Sequence, residues 1–170
     1  KCVVRLKGGD PYIFGRGGEE AEALAAGKIL FEVVPGVSSI TAAPNYAGIP
    51  LTHRDLTSNF TVFTGHEGDG KEDSALDFDQ IARISGTKVI MMGVTHLPEL
   101  TQALQARGMS RETPVAIVQW GTLGRQKSIV GTLGTIEKLA AHEHITPPAL
   151  TVIGEVVKLR KKLNWFEQRP

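Results

Sequence analysis

Arg5-Leu6-Lys7-Gly8-Gly9-Asp10-Pro11-Tyr12-Ile13-Phe14-Gly15-Arg16-Gly17-Gly18-Glu19-Glu20 compresses an apolar run, one glycine turn, and a second glycine turn opening a helix. Cys2-Val3-Val4-Arg5-Leu6 has the β-branched content of a buried parallel strand, and Gly8-Gly9 frees the backbone to turn sharply and approach a ligand closely. Asp10-Pro11 closes that turn. Gly15, Gly17 and Gly18 make the next one, and Glu19-Glu20 bring carboxylates to the positive end of an alanine-rich helix. The dinucleotide fingerprint G-x-G-x-x-G and the P-loop G-x-x-x-x-G-K-[ST] are both absent, because Gly15-Arg16-Gly17-Gly18 runs straight into Glu19. Two glycine turns can simply join strand to helix. Their closeness to each other makes this stretch the first candidate for function.

Composition narrows the partners. A chain of 170 residues with 41% hydrophobic and 22% charged content has enough apolar material for one core or two small lobes of a soluble globular protein. Nineteen basic and eighteen acidic residues leave a net charge of +1, so no global field favours nucleic acid or an anionic membrane. The single cysteine, Cys2, can form no internal disulfide and has no zinc-like spacing around it, which points to the cytoplasm. No apolar run approaches transmembrane length. The chain opens on Lys1 without methionine or leader, and the expectation is a truncated chain.

Moving outward, residues 20–26 read as a helix stopped by Gly27, followed by a strand over Ile29 to Val34. Pro35-Gly36-Val37-Ser38-Ser39 is a turn whose serines can cap a helix over 40–46, leaving amide donors above the strand end. In a parallel sheet, this loop and the first glycine turn lie side by side at the carboxyl edge and can share a ligand. Gly48-Ile49-Pro50-Leu51-Thr52-His53-Arg54 reads as an extended connector and a lobe boundary, dividing the chain into 1–53 and 54–170. Downstream come strands at 60–64, 88–92, 114–119, 127–131 and 149–154, with helices near 77–84, 97–107 and 133–141. The short gap between the strands at 114–119 and 127–131 makes them antiparallel neighbours, so the second lobe is expected to hold a mixed sheet. Only two strands precede Gly48, which makes the first lobe incomplete.

At the opening stretch, the Pro35–Ser39 turn and Gly48–Arg54, the sequence strongly resembles the uroporphyrinogen-III C-methyltransferases, including the methylating module of sirohaem synthase, within the tetrapyrrole methylase superfamily. The resemblance continues through Thr64-Gly65-His66, Met91-Met92-Gly93, Gly121-Thr122, Pro148-Ala149-Leu150, Leu159-Arg160 and Leu163-Asn164-Trp165-Phe166. It implies a two-lobed α/β fold with S-adenosylmethionine in the cleft, and C-methylation of uroporphyrinogen III to precorrin-2 for sirohaem or cobalamin synthesis. It also implies a tetrapyrrole partner, no nucleic acid, no membrane, and a homodimer in the full-length form. Carried over by position, it puts Gly8, Gly9, Asp10 and Ile13 on the cofactor, joined by Ser38 and Ser39 from the second loop. Met92, Gly121 and Ala149 close the pocket from the other lobe.

The resemblance further implies a proton-accepting aspartate and a proton-donating lysine that have no counterpart in residues 1–170 and are expected upstream of Lys1. On that reading the chain by itself has no catalytic residue and does not turn over. The alternatives are an inert or binding-only fragment, or a related precorrin methyltransferase. Methyl transfer from sulfonium to carbon is an in-line displacement that asks the protein to hold two partners in place, and needs no metal. The eight carboxylates of uroporphyrinogen III call for arginine, and Arg16 and Arg54 are the candidates. His53 and His66 read as histidines that satisfy nearby backbone groups, His142-Glu143-His144 as a solvated helix end rather than a metal site, and 67–79 as a solvated loop.

Overall fold

A computed structural model describes residues 1–65 and 77–168. His66 and residues 67–76 of the loop expected over 67–79 lie outside the described residues, and positions 78 and 79 open a helix. Among the described residues five strands, β1 (Phe60–Thr64), β2 (Thr87–Met91), β3 (Pro114–Gln119), β4 (Lys127–Thr132) and β5 (Ala149–Ile153), form one sheet in the order β1-β2-β5-β3-β4. β1 runs parallel to β2, whereas β5 is antiparallel to both β2 and β3, and β3 is antiparallel to β4. The mixed sheet expected from the sequence is therefore present, hairpin included.

Among the described residues six α-helices accompany it: α1 (Gly17–Ala26), α2 (Ser39–Tyr46), α3 (Phe78–Arg83), α4 (Leu97–Ala106), α5 (Ile136–His142) and α6 (Arg160–Leu163). The sheet is apolar on both faces, which explains why β3 reads as the unbroken run Pro-Val-Ala-Ile-Val rather than as an alternation. Val115, Ile117, Ile90 and Ile153 point to one face, where Ile81, Leu100, Leu104 and Ile136 from α3, α4 and α5 cover them. Ala116, Val118, Val89, Leu150 and Val152 point to the other, under Ile40 and Ala43 of α2, then Ile49, Val156 and Val157. Helix α2 thus belongs to the core of this sheet. Among the described residues no helix is long and apolar enough to cross a membrane.

The front of the chain departs from expectation. Neither Cys2–Leu6 nor Ile29–Val34 forms a strand. Val3, Val4, Leu6 and Leu30 are 88%, 80%, 84% and 100% exposed, values incompatible with a buried parallel strand. Their composition suits a sheet, but β propensity expresses packing against neighbouring strands, and among the described residues no strand lies beside these segments. What holds the first of them is electrostatic: Arg5 Nε and Lys7 Nζ donate to Glu20 Oε1 of α1 at 3.1 and 2.9 Å. Helix α1 begins three residues earlier than expected, at Gly17, with Glu19 and Glu20 in its first turn.

One buried charge in the sheet yields a pH signature. Lys88 of β2 is only 4% exposed, and its Nζ donates to Ile84 O at the end of α3 at 2.6 Å. Burial pushes its ammonium below the ordinary lysine range. The unfolded chain then holds that proton more tightly than the native one, so this residue makes stability rise with pH as the solution climbs toward about pH 10.5. Lys88→Met is expected to flatten that alkaline rise, read as the difference between wild-type and variant urea midpoints from pH 8 upward. Parallel pH profiles for the two proteins would show that Lys88 titrates normally.

Candidate functional site

A cavity of about 890 Å³ opens where the carboxyl ends of β2 and β3 and the start of β5 meet the glycine loop and the N-terminus of α2. That size accommodates a nucleoside-sized ligand. Gly8, Gly9, Asp10, Ile13, Ser38, Ser39, Met92, Gly121 and Ala149 all line it. Nine residues spread from position 8 to position 149 thus face one space. Val118 and Leu150 give it an apolar floor.

The two loops at the mouth are tied together by Asp10. Its Oδ2 accepts the Gly36 N–H at 3.0 Å and its Oδ1 accepts the Tyr12 N–H at 2.9 Å. Those bonds, Gly36 first and Tyr12 second, hold the carboxyl below the usual aspartate range. The contact is close: a Cβ on Gly36 would sit 2.1 Å from Gly9 O. Gly9 itself has φ +79°, a conformation glycine adopts without penalty. The sequence marks Gly36 only as a turn residue, and its role as the contact point with the first loop emerges from the fold.

Ser38 caps α2, its Oγ accepting the Ile40 N–H at 3.3 Å, so this hydroxyl serves the helix while the residue lines the cavity. On the facing wall, Gly121 packs against α2 so tightly that a Cβ would meet Ala43 Cβ at 2.6 Å. Backbone strain also gathers here. Among the described residues, seven non-glycine residues have positive φ, and four of them, Phe14, Met92, Trp120 and Thr122, line the cavity. Such conformations cost about 1–3 kcal/mol each and persist where the surrounding structure imposes them, typically at binding sites.

Sequence reasoning missed several wall residues. Trp120, Leu123, His96 and Pro148 line the cavity, and Trp120 N–H donates to Pro148 O at 3.2 Å. No short motif joins them, because positions 96, 120 and 148 become neighbours only through the order of strands in the sheet. Trp120 also carries the Arg125 guanidinium 3.7 Å above its ring centroid.

The arginines lie elsewhere. Arg16 precedes α1 with φ 58° and pairs with Glu19 at 3.2 Å, while Arg54 is an exposed residue of the 53–57 turn, and neither lines the cavity. His53 bonds its own turn: its N–H donates to Thr57 O at 2.9 Å and its Nδ1 accepts the Asp55 N–H at 3.2 Å. Glu143, at the end of α5, takes Lys127 Nζ at 2.8 Å and His142 Nδ1 at 3.2 Å.

These features can be set beside known proteins. The family profile described as Tetrapyrrole (Corrin/Porphyrin) Methylases matches residues 1–137. An S-adenosyl-L-methionine-dependent uroporphyrinogen III methyltransferase from Methanosarcina barkeri is 53% identical over 99% of this chain and 66% of its own length. A siroheme synthase from Nitrosospira multiformis is 50% identical over 98% of this chain and 35% of its own length. The chain therefore spans just under two thirds of the first relative and about a third of the second. Among solved structures, a uroporphyrin-III C-methyl transferase from Thermus thermophilus complexed with S-adenyl homocysteine superposes with a TM-score of 0.78. It is 36% identical, over 92% of this chain and 67% of its own. A cobalt precorrin-4 methyltransferase gives a TM-score of 0.82 at 27% identity, over 92% of this chain and 65% of its own. The glycine loop, the capped α2, the mixed sheet and the matched profile together place this chain in the tetrapyrrole (corrin/porphyrin) methylase family.

Proposed function

We propose that the cavity binds S-adenosylmethionine and that the chain belongs to a uroporphyrinogen-III C-methyltransferase, methylating two pyrrole carbons to give precorrin-2. The observation that carries this reading is the gathering of nine residues, assigned to the cofactor by resemblance, around one space of suitable size. The residues present fit such a ligand. Gly8 leaves its side-chain position open, with nothing within 4 Å of a would-be Cβ, so the loop can lie flat against an adenosyl or methionyl group. Val118 and Leu150 offer apolar contact below, and Asp10, Ser38 and Ser39 offer polar groups at the rim.

S-adenosylmethionine, when bound, supplies an electrophilic methyl group on a sulfonium. The chain's own residues orient and enclose. Gly8–Asp10 and Gly36–Ser39, lashed by the Asp10 carboxylate, form one rim, and Met92, Gly121 and Ala149 form the other. A rigid rim keeps donor and acceptor carbon at near-attack distance, a contribution that reaches about 7–11 kcal/mol in well-oriented systems. The cleft then lies between 1–53 and 54–170. The setting in sirohaem or cobalamin synthesis, the cytoplasm and the full-length homodimer belong to the same reading. Greater identity to the uroporphyrinogen III methyltransferase than to the cobalt precorrin-4 enzyme favours the first over a later precorrin methylase.

Calorimetric titration of the chain with S-adenosylhomocysteine tests the reading, and the expected result is saturable one-site binding. No heat of binding from a chain shown folded by circular dichroism would overturn it. Precorrin-2 formation, followed by absorbance, is a separate matter. Arg16 is proposed to receive a substrate carboxylate. Since it is exposed, the loss in Arg16→Ala is expected to be several-fold, at the weak end of charge-assisted hydrogen bonds. Fluorescence titration with uroporphyrin III would show it, with S-adenosylhomocysteine affinity unchanged. Equal loss for both ligands would remove Arg16 from the substrate site.

A further inference from the structure

Residues 120–126, which join β3 to β4, carry the cavity-facing Trp120, Gly121, Thr122 and Leu123, two of them with left-handed backbone. Such a loop needs something to hold it. The holding groups are Gln126 of the loop itself and the Glu167 carboxylate behind it. Gln126 Oε1 accepts the Thr122 N–H at 2.7 Å, and Gln126 Nε2 donates to Glu167 Oε1 at 2.7 Å. Ser128 Oγ donates to that same carboxylate oxygen at 2.5 Å. The other oxygen, Oε2, accepts from Arg160 Nη2, and Arg160 Nη1 donates to Ala47 O, just past α2, at 2.5 Å.

The segment around Glu167 also grips α2 directly. Trp165 Nε1 donates to Asn45 O at 3.1 Å, and the Trp165 and Phe166 rings stand 5.0 and 4.8 Å from that of Tyr46. Gly48 lies against the same segment, where a Cβ would come 2.3 Å from Leu163 O. Residues 160–167 therefore touch the outer ends of both cavity walls, α2 on one side and the 120–126 loop on the other. None of Gln126, Arg160 and Glu167 lines the cavity.

We propose that Glu167 is a positioning residue. It transmits the anchorage of the 160–167 segment through Gln126 to the Thr122 amide, and through Arg160 to the end of α2, so that the 120–126 loop keeps its conformation where Gly121 packs on α2. The inference rests on the reading of the cavity as an S-adenosylmethionine site. Its physical basis is the setting of the carboxylate. Glu167 and Arg160 side chains are 20% and 11% exposed, so their charge-assisted bonds are poorly screened and stronger than those between neutral groups. Without the relay, Trp120 and Thr122 are free to leave their disfavoured conformations, and the wall they form loses its shape.

The test is a double-mutant cycle on Gln126→Met and Glu167→Gln. Gln126→Met cuts the link to Thr122 and leaves the Arg160–Glu167 and Arg160–Ala47 contacts in place. Glu167→Gln replaces one acceptor oxygen with a donor, so it can no longer serve both Gln126 and Arg160. Gln126→Met is expected to weaken S-adenosylhomocysteine binding about 10-fold by calorimetry and Glu167→Gln at least as much, and the double variant is expected to bind no more than about twofold more weakly than Glu167→Gln alone, since the Gln126 link is already cut in it. In the ligand-free protein, amide exchange at 121–123 is expected to rise about 10-fold in either variant while that of Val115–Val118 stays constant. A merely stabilising role would instead raise exchange throughout, with losses that multiply. Failure of the wild-type chain to bind S-adenosylhomocysteine would remove the cofactor reading and leave the relay to be judged by exchange. If Glu167→Gln does not fold, Gln126→Met decides alone: unchanged loop exchange would overturn the proposal.

Discussion

Gly36→Ala is expected to lower S-adenosylhomocysteine affinity on the order of 100-fold while leaving the sheet folded. The reason is steric and local. An added Cβ would stand 2.1 Å from Gly9 O, 2.8 Å from Gly9 C and 3.3 Å from Asp10 Cα. All three are backbone atoms of the facing loop, so no side-chain rotation relieves the clash. The loops must separate, and the Gly36 N–H to Asp10 Oδ2 bond breaks with them. Forced overpacking of this kind typically costs about 1–3 kcal/mol, which covers roughly fivefold to about 150-fold in affinity. The core cluster on either face of the sheet contains no residue of 35–37, so the melting temperature should hardly move. Gly18→Ala is the control: its Cβ would meet nothing within 4 Å, and both binding and stability should survive. Calorimetric affinity within twofold of wild type for Gly36→Ala would mean that the two loops do not shape the site together.

The largest effect on stability is expected from Ile117→Ala, a loss of about 2–5 kcal/mol. Ile117 is fully buried in β3, between Ile129 of β4 and Thr151 of β5 in the register, and faces the layer formed by α3, α4 and α5. Helices on that side and strands on both flanks leave no route for collapse, so truncation leaves a cavity rather than a rearrangement. Against a total stability of about 5–15 kcal/mol for an ordinary domain, the change is large. Val130→Ala, on the next strand but 46% exposed, should cost little, within roughly 0.5 kcal/mol. Urea unfolding of the two variants separates the cases: a lowered midpoint at constant slope for Ile117→Ala, and almost none for Val130→Ala. Equal shifts would show that the sheet's two-sided burial is not what stabilises it.

Local chemistry carried the reading a long way, and its failures have a common cause. The run Pro114–Val118 is apolar without alternation, the mark of a strand covered on both faces, and β3 occupies it together with Gln119 in the structure. Glycines at 8 and 9 and serines at 38 and 39 announced loops able to approach a ligand, since those requirements are met within a few residues of chain. Val3-Val4 and Val33-Val34 carry the same β-branched signal as Val115 to Val118, yet they are exposed and unpaired in the sheet. A strand is completed by hydrogen bonds to another strand, and propensity alone cannot say whether that neighbour is there.

The sequence by itself determined the α/β alternation, the β3–β4 hairpin, the two loops that line the cavity and the family, because propensity, turn chemistry and motif spacing all act over short stretches. Only the tertiary structure decided that His96, Trp120 and Pro148 share a wall, that Gly36 is pressed against Gly9, and that Glu167 reaches Gln126 across 41 residues of chain. Those contacts arise from the strand order β1-β2-β5-β3-β4 and from where the last segment comes to rest on α2. Such placements follow from burying both faces of one sheet at once, a demand on the whole chain that no local pattern encodes.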